Sequence, residues 1–314
     1  MLQSGKLKKV VVFGGGTGLS TLLRGLKSHP VDLTAVVTVA DDGGSSGRLL
    51  DIPPPGDIRK VMAALSDVEP LFEEMFQYRF QTIEELKGHS LGNLMLAAMT
   101  DITGDFSRAV EQMSRVLNIK GKVLPAANQR ITLHAELEDG TIVTGESKIP
   151  VYGHRIRRVY MSPQEVKPLP ETVDTIMAAD LIVFGPGSLY TSILPTILVP
   201  VIREAVLACQ AKKVYIGNLA TQAGETYRYT ASEHVQALYD HAGKAFIDTI
   251  LLNGTDFSTL YGEEQVGPPW PVENDEEKLQ QLVPQIVVKE IASLKEGVLM
   301  HDSEKVAEWL MTLL

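Results

Sequence analysis

KKVVVFGGGTGLSTLLRGLK, residues 8–27, decides the fold. Val10–Phe13 form a short apolar run of the buried-strand kind, Gly14, Gly15, Gly16, Thr17 and Gly18 follow, and helix-like periodicity runs on to Lys27. A strand that turns through glycines into a helix leaves free backbone N–H groups and the positive end of the helix dipole converging on one point. That is a physical recipe for a phosphate site. ADLIVFGPGSLYTSILP, residues 179–195, repeats the recipe about half a chain later, with Gly185 and Gly187 in the turn and hydroxyls at Ser188, Thr191 and Ser192. Two such loops suggest a ligand with a diphosphate and two ends.

Around these loops the chain alternates strands and helices in the manner of a parallel α/β sheet. Strands are expected at 9–13, 33–39, 181–184, 213–216 and within 245–252, and 285–291 is strand-like. Helices are expected at 19–27, 56–65, 91–99, 106–117 and 303–313, the last capped by Ser303. RITLHAELEDGTIVTGESKI, residues 130–149, alternates apolar and polar residues about Asp139-Gly140, a strong hairpin signal. It reads as an antiparallel insertion or sheet edge. The whole chain is expected to be one domain, with 120–161 as a β-rich insertion and 262–314 as a C-terminal extension packed on the sheet.

Composition narrows the function. The chain of 314 residues is 44% hydrophobic and 22% charged, ordinary for a globular protein with a large core. A net charge of −10 argues against a nucleic-acid surface, although Arg155, Arg157 and Arg158 form a local basic cluster. Cys209 is the only cysteine, which excludes a disulfide framework and a cysteine metal cluster. Its surroundings read as a buried helix face. Met1–Lys9 is short and polar and does not read as a signal peptide, and the apolar segment 193–202 is interrupted by Pro195 and Pro200. The expectation is a cytoplasmic protein without membrane insertion.

Each motif has a plain structural explanation beside its functional one. Gly14–Gly18 differs from the dinucleotide fingerprint, because the last glycine falls two positions after Gly16, and no Gly-Lys-Ser/Thr makes it a Walker loop. A tight turn would explain the glycines, but the strand–turn–helix setting favours nucleotide contact. Asp41-Asp42-Gly43-Gly44-Ser45-Ser46-Gly47-Arg48 follows the second strand, where a parallel sheet opens its ligand crevice. These carboxylates suit a divalent cation, a ribose or a base role, and Arg48 suits a phosphate; a solvated turn is the alternative. Asp57, behind three prolines, is either a helix cap or a site residue. His89, Ser90 and Asn93 suit a sugar hydroxyl or phosphate, with capping or packing as the alternative for His89. In the second loop Leu189 lies between the hydroxyls and Tyr190 suits stacking on a base; Asn218, Thr221 and Gln222 suit a base edge or sugar. The remaining histidines, among them His234, His241 and His301, show no metal-ligand spacing.

These runs, with KVLPA, DGTIVTGES, GETYRYTASEHV and, more weakly, GVLMHDSEKVAEWL, resemble the YvcK family, the bacterial gluconeogenesis-factor proteins, within the wider CofD-like superfamily. The resemblance extends from Val10 to about Asn253. It implies a Rossmann-like three-layer αβα fold that binds a UDP-sugar such as UDP-GlcNAc, and a regulator of cell shape and wall synthesis during gluconeogenic growth. It also implies a protein partner in envelope synthesis and no required cofactor, and leaves self-association open. The more distant relative CofD transfers a phospholactyl group from a guanosine diphosphate-linked donor with magnesium. On that pattern Asp41 and Asp42 would be catalytic, Asp42 would touch Mg²⁺, and Asp57, His89, Ser90 and Asn93 would lie on the sugar or acceptor side. A nicotinamide-dependent oxidoreductase is a third reading, in which the glycine spacing counts against redox chemistry and NAD would be a diphosphate mimic. Two departures stand out: Ala223 replaces an expected proline, and 48–53 is several residues shorter than in the family.

Overall fold

The computed structural model describes residues 6–43, 45, 52–68, 70–166, 168–261 and 270–314. Arg48 and the short 48–51 stretch lie outside them. Twelve strands are described: β1 (Lys8–Gly14), β2 (Val31–Val37), β3 (Lys122–Pro125), β4 (Thr132–Leu137), β5 (Ile142–Thr144), β6 (Ile156–Ser162), β7 (Leu181–Phe184), β8 (Lys212–Ile216), β9 (Thr249–Asn253), β10 (Gln285–Lys289), β11 (Ala292–Lys295) and β12 (Val298–His301). Seven of them form one all-parallel sheet in the order β10-β9-β8-β7-β1-β2-β3. The expected α/β architecture with a parallel sheet is therefore the one observed.

β1 reads as unbroken Val and Phe because it is an interior strand, between β7 and β2, with both of its faces covered. Val10 to Phe13 are at most 1% exposed, and Phe13 stacks on Phe184 of β7 at 5.1 Å. Helix α1 (Gly16–Leu26) follows directly. Its Leu19, Leu22, Leu23 and Leu26, spaced three and four apart, are all buried on one face, at roughly 1.5–3 kcal/mol each. The chain then enters α2 (Gly56–Leu65) behind Pro53–Pro55, and continues through α3 (Pro70–Gln77), α4 (Leu91–Thr103) and α5 (Phe106–Val116). Ser90 caps α4, accepting from the Asn93 N–H, and Asp105 caps α5, accepting from the Arg108 N–H.

The antiparallel element is a sheet of its own, β5-β4-β6, whose hairpin turns at Asp139-Gly140 with Gly140 at φ +85°. Its boundaries correct the expected insertion. β3 pairs in parallel with β2 at the edge of the main sheet, so the insertion begins after it, at Thr132. The C-terminal segment is likewise more than a cover. β10 is itself the far edge strand, paired with β9, and β11–β12 form a small hairpin. The closing helix runs Ser303–Met311, and its cap is Asp302, which accepts from the Lys305 N–H; Ser303 is its first residue. That helix packs on α1 at Gly25, where a Cβ would stand 2.2 Å from the Ser303 carbonyl oxygen.

The basic cluster is neutralised in place. Arg155 pairs with Glu233 and lies over the Tyr229 ring, while Arg157 and Arg158 both pair with Glu136. Cys209 is buried, and His234 and His241 are packing residues bonded to the Thr230 and Ala237 carbonyls. Among the described residues no single helix is long and apolar enough to cross a membrane.

Candidate functional site

The strand order places the site. From β1 the chain runs outward through β2 and β3, then returns to β7 on the other side of β1 and runs outward through β8, β9 and β10. Parallel strands that diverge from a shared centre leave a crevice at their carboxyl ends, where the loops turn away from each other. The loops at this switch point are the two glycine-rich stretches, Gly14–Gly18 at the end of β1 and Gly185–Ser192 after β7.

The loops touch. A Cβ on Gly18 would stand 2.6 Å from the Pro186 carbonyl oxygen, and one on Gly187 would be 3.4 Å from the Gly15 carbonyl oxygen. Gly16 (φ +65°) and Gly185 (φ +77°) occupy left-handed backbone that other residues rarely adopt. Between the loops opens a cleft of about 430 Å³, lined by Gly15–Gly18, Pro186–Ser188, Ser192 and the stretch Asn218–Gln222. α1 points its start into this cleft with no side-chain cap on Gly15 and no acidic residue in its first turn. Its first N–H groups and dipole are therefore open to an anion. The opposite wall is polar and pre-set. Asn218 Nδ2 donates to the Gly187 carbonyl at 3.1 Å, and Gln222 Nε2 donates to Ser188 Oγ at 2.8 Å. The buried Gln222 Oε1 has no hydrogen-bond partner among the described residues and is free to accept one.

The second loop departs from expectation. Leu189 is core, and Tyr190 is 2% exposed, with its hydroxyl bonded to Tyr229 and the Ile156 carbonyl, so its ring is not available to stack on a base. Thr191 Oγ1 donates to Glu225 Oε1 at 3.2 Å, and the Tyr190 and Thr191 N–H groups also favour that carboxylate. An internal carboxylate thus takes the place at Tyr190–Thr191 that a phosphate would need. The uncapped amides of the cleft are on the α1 side, and Ser188 and Ser192 are the second loop's hydroxyls in its lining. Burial pushes Glu225 up to about 7, while Thr191, Ser188 and those N–H groups pull the other way.

Two residues of the cleft escaped the sequence reading. Leu299 and His301 arrive from β12, carried there by the packing of the closing helix on α1. His301 Nε2 donates to the Gly217 carbonyl at 3.1 Å, and burial pushes its pKa down to about 4. The ring is therefore neutral, with Nδ1 an acceptor. The only trace of this in the sequence is the run GVLMHDSEKV, which carries no metal or catalytic spacing.

The carboxylates and polar residues on the β2 side form a second cluster. Asp57 is buried, pairs with Lys60 at 3.0 Å, and stands so close to Gly15 that a Cβ there would be 2.4 Å from its Oδ2. It is not the N-cap of α2: Pro55 holds that position, without a side-chain cap, and Asp57 lies in the first turn. Asp42 Oδ1 accepts from the Ser147 N–H, tying the loop to the turn after β5, and Asp41 accepts from the Gly43 N–H. His89, Ser90 and Asn93 are all at least nine-tenths buried. They are spent inside the protein: His89 Nδ1 meets Ser45 Oγ, Asn93 Nδ2 donates to that hydroxyl, and Ser90 caps α4. Glu146, which lay outside the sequence reading, is driven well above the usual carboxylate range by burial and by Asp57, Asp41, Glu225 and Asp42 around it. Among the described residues no three His, Cys, Asp or Glu side chains form a group that could hold a metal.

Fold and crevice together define a doubly wound α/β protein with a polar cleft at its switch point. The sequence model of the CofD family, described as 2-phospho-L-lactate transferase CofD, matches residues 10–292. The chain is 59% identical to the gluconeogenesis factor of Bacillus subtilis, over 99% of both chains, and 56% identical to that of Halalkalibacterium halodurans, over 98% and 96%. A crystal structure of protein BH3568 from Bacillus halodurans superposes with a TM-score of 0.92 at 56% identity, covering 98% of this chain and 100% of that one. The chain belongs to the gluconeogenesis-factor (YvcK) family of the CofD-like superfamily.

Proposed function

We propose that the cleft binds a nucleoside-diphosphate-linked sugar of the UDP-GlcNAc type, and that the protein acts as a cytoplasmic regulator of cell shape and wall synthesis during gluconeogenic growth. One observation carries the binding half: the uncapped start of α1 faces Ser188, Asn218 and Gln222 across one crevice at the topological switch point. The α1 amides suit the diphosphate. The amide side chains and the free Gln222 Oε1 suit the edge of a base or sugar hydroxyls. The relatives' name, gluconeogenesis factor, supports the physiological half. Ligand binding would act by stabilising one conformation, by about 2.7 kcal/mol at a hundredfold excess over Kd, for an envelope-synthesis partner to read.

A CofD-like transferase is the second reading, favoured by the description of the matching family and by Asp57 beside the first loop, with Asp41 and Asp42 gathered with it around Glu146. In that chemistry an acceptor hydroxyl oxygen attacks the donor's phosphorus, and a carboxylate takes the hydroxyl proton. The bond to the nucleotide phosphate oxygen breaks, and the nucleoside monophosphate leaves with the electron pair. Asp42 and Asp41 offer the hard oxygens that Mg²⁺ takes; since no three acidic or histidine side chains among the described residues are arranged to hold a metal by themselves, ligand phosphates and water would complete its shell. NAD would enter the cleft only as a diphosphate mimic.

Calorimetric titration of the protein with UDP-GlcNAc and Mg²⁺ tests this. Saturable binding at one site with the sugar nucleotide recovered intact supports the regulator. Turnover that vanishes in Asp42→Asn while binding persists supports the transferase. No binding at millimolar UDP-GlcNAc overturns the UDP-sugar reading.

A further inference from the structure

Beyond the cleft, Arg59 stands out as a charged donor without a matching acceptor. It lies in the first turns of α2, is only 3% exposed, and stretches across the first turn of α4. Gly92 makes room for it, because a Cβ there would be 2.8 Å from Arg59 Cδ. Its Nε donates to Asn93 Oδ1 at 3.0 Å, which fixes the plane of the guanidinium. Asn93 in turn donates to Ser45, and Ser45 meets His89, so the anchor is itself held. Arg59 Nη1 is buried and finds no hydrogen-bond partner among the described residues. Burial, and after it a second guanidinium, Arg79, bring Arg59 down to about 10 against the smaller opposing pull of Asp57 and Asp41. The nearby acids are otherwise engaged: Asp57 with Lys60, and Asp41 with the Gly43 N–H.

A buried donor left unpaired costs free energy, and placing a like charge beside it costs more. An oxyanion between the two guanidiniums would remove both penalties, and an anchored guanidinium fork is pre-shaped for one. We propose that Arg59, held by Asn93 and assisted by Arg79, forms an oxyanion subsite on the β2 side of the first glycine loop, which takes the carboxylate or phosphate end of a ligand. Asp57, two residues before Arg59 on α2, reaches Gly15, so the same helix joins the subsite to the first glycine loop.

The test is calorimetric titration of the full chain with two probes, inorganic phosphate and malonate, in wild type, Arg59→Met and the exposed-site variant Arg79→Met. Wild type is expected to bind at least one probe; which one tells whether the acid is a phosphate or a carboxylate. Arg59→Met should weaken that binding at least about tenfold, and Arg79→Met several-fold. Without probe, Arg59→Met should melt at or above wild type, because the unpaired charge is gone. With probe, the rise in melting temperature seen in wild type should be absent. The proposal is overturned if wild type binds neither probe, or if Arg59→Met binds as wild type does. Should Arg59→Met fail to fold, unchanged binding in Arg79→Met overturns it. Wild type that binds a probe but not UDP-GlcNAc sinks the nucleotide-sugar reading and leaves this subsite standing.

Discussion

Gly18→Ala is expected to destabilise the protein and weaken the cleft together. In an ordinary helix the change would help, since alanine exceeds glycine by about 0.8–1 kcal/mol in helix propensity. Here the new methyl would stand 2.6 Å from the Pro186 carbonyl oxygen and 2.9 Å from its carbon, and both are backbone atoms with no rotamer to escape into. To reach normal contact the second loop must retreat by roughly 1 Å. Overpacking of this kind costs about 1–3 kcal/mol, so a net loss of up to about 2 kcal/mol remains after the propensity gain. In a chain of this size that is a fall in Tm of only a few degrees. The larger effect falls on the ligand, because Ser188 and the α1 amides face each other across the same gap that is forced apart. A displacement near 1 Å takes a hydrogen bond from 2.9 Å past useful range, so UDP-GlcNAc affinity should drop at least about tenfold. Thermal unfolding and calorimetry on the same preparation check both. A Gly18→Ala protein that is as stable as wild type and binds equally well would refute the contact between the loops.

Titration of buried groups supplies two further outcomes. Glu225 is raised to about 7 by burial, so the folded state favours its protonated form. That contribution is complete below the ordinary carboxylate range and disappears as pH rises through about 7. Glu225→Gln should therefore gain on wild type between pH 5 and 8, by on the order of 2–3 kcal/mol in chemical denaturation, and an unchanged pH profile would count against the buried carboxylate. His301 has the opposite sign: lowered to about 4, it contributes stability above its ordinary pKa of 6.5 that is lost as pH falls towards 4. His301→Gln should flatten that acid-side loss, by a similar order of magnitude, and should also change ligand affinity, because the ring lines the cleft. Gly25→Ala drives a methyl into the Ser303 carbonyl and should loosen the closing helix by about 1–3 kcal/mol, seen as faster proteolysis after residue 300.

Local patterns revealed much of this protein. β1, β7 and the helix Gly56–Leu65 could be read directly, because a run of Val, Ile and Phe, or three prolines before a helical period, acts over a few residues. The hairpin at Asp139-Gly140 was legible for the same reason. β3 was not, since KVLP is four residues long and ends in a proline, and nothing in it says that it pairs with β2. The histidine of the cleft was hidden too, because its place depends on a glycine in α1 that admits the closing helix.

By itself the sequence determined that two glycine loops end strands of a parallel sheet, and that each could face an anion. Only the tertiary structure decided that the loops adjoin and that they are not equivalent. Their meeting follows from the return of the chain to the other side of β1, a choice made by the packing of the whole sheet. Their difference follows from Glu225, thirty-four residues from Thr191, whose carboxylate occupies the second loop and leaves the first open. Backbone amides bind whichever anion arrives in range, and whether that anion is a ligand or a side chain is settled in three dimensions.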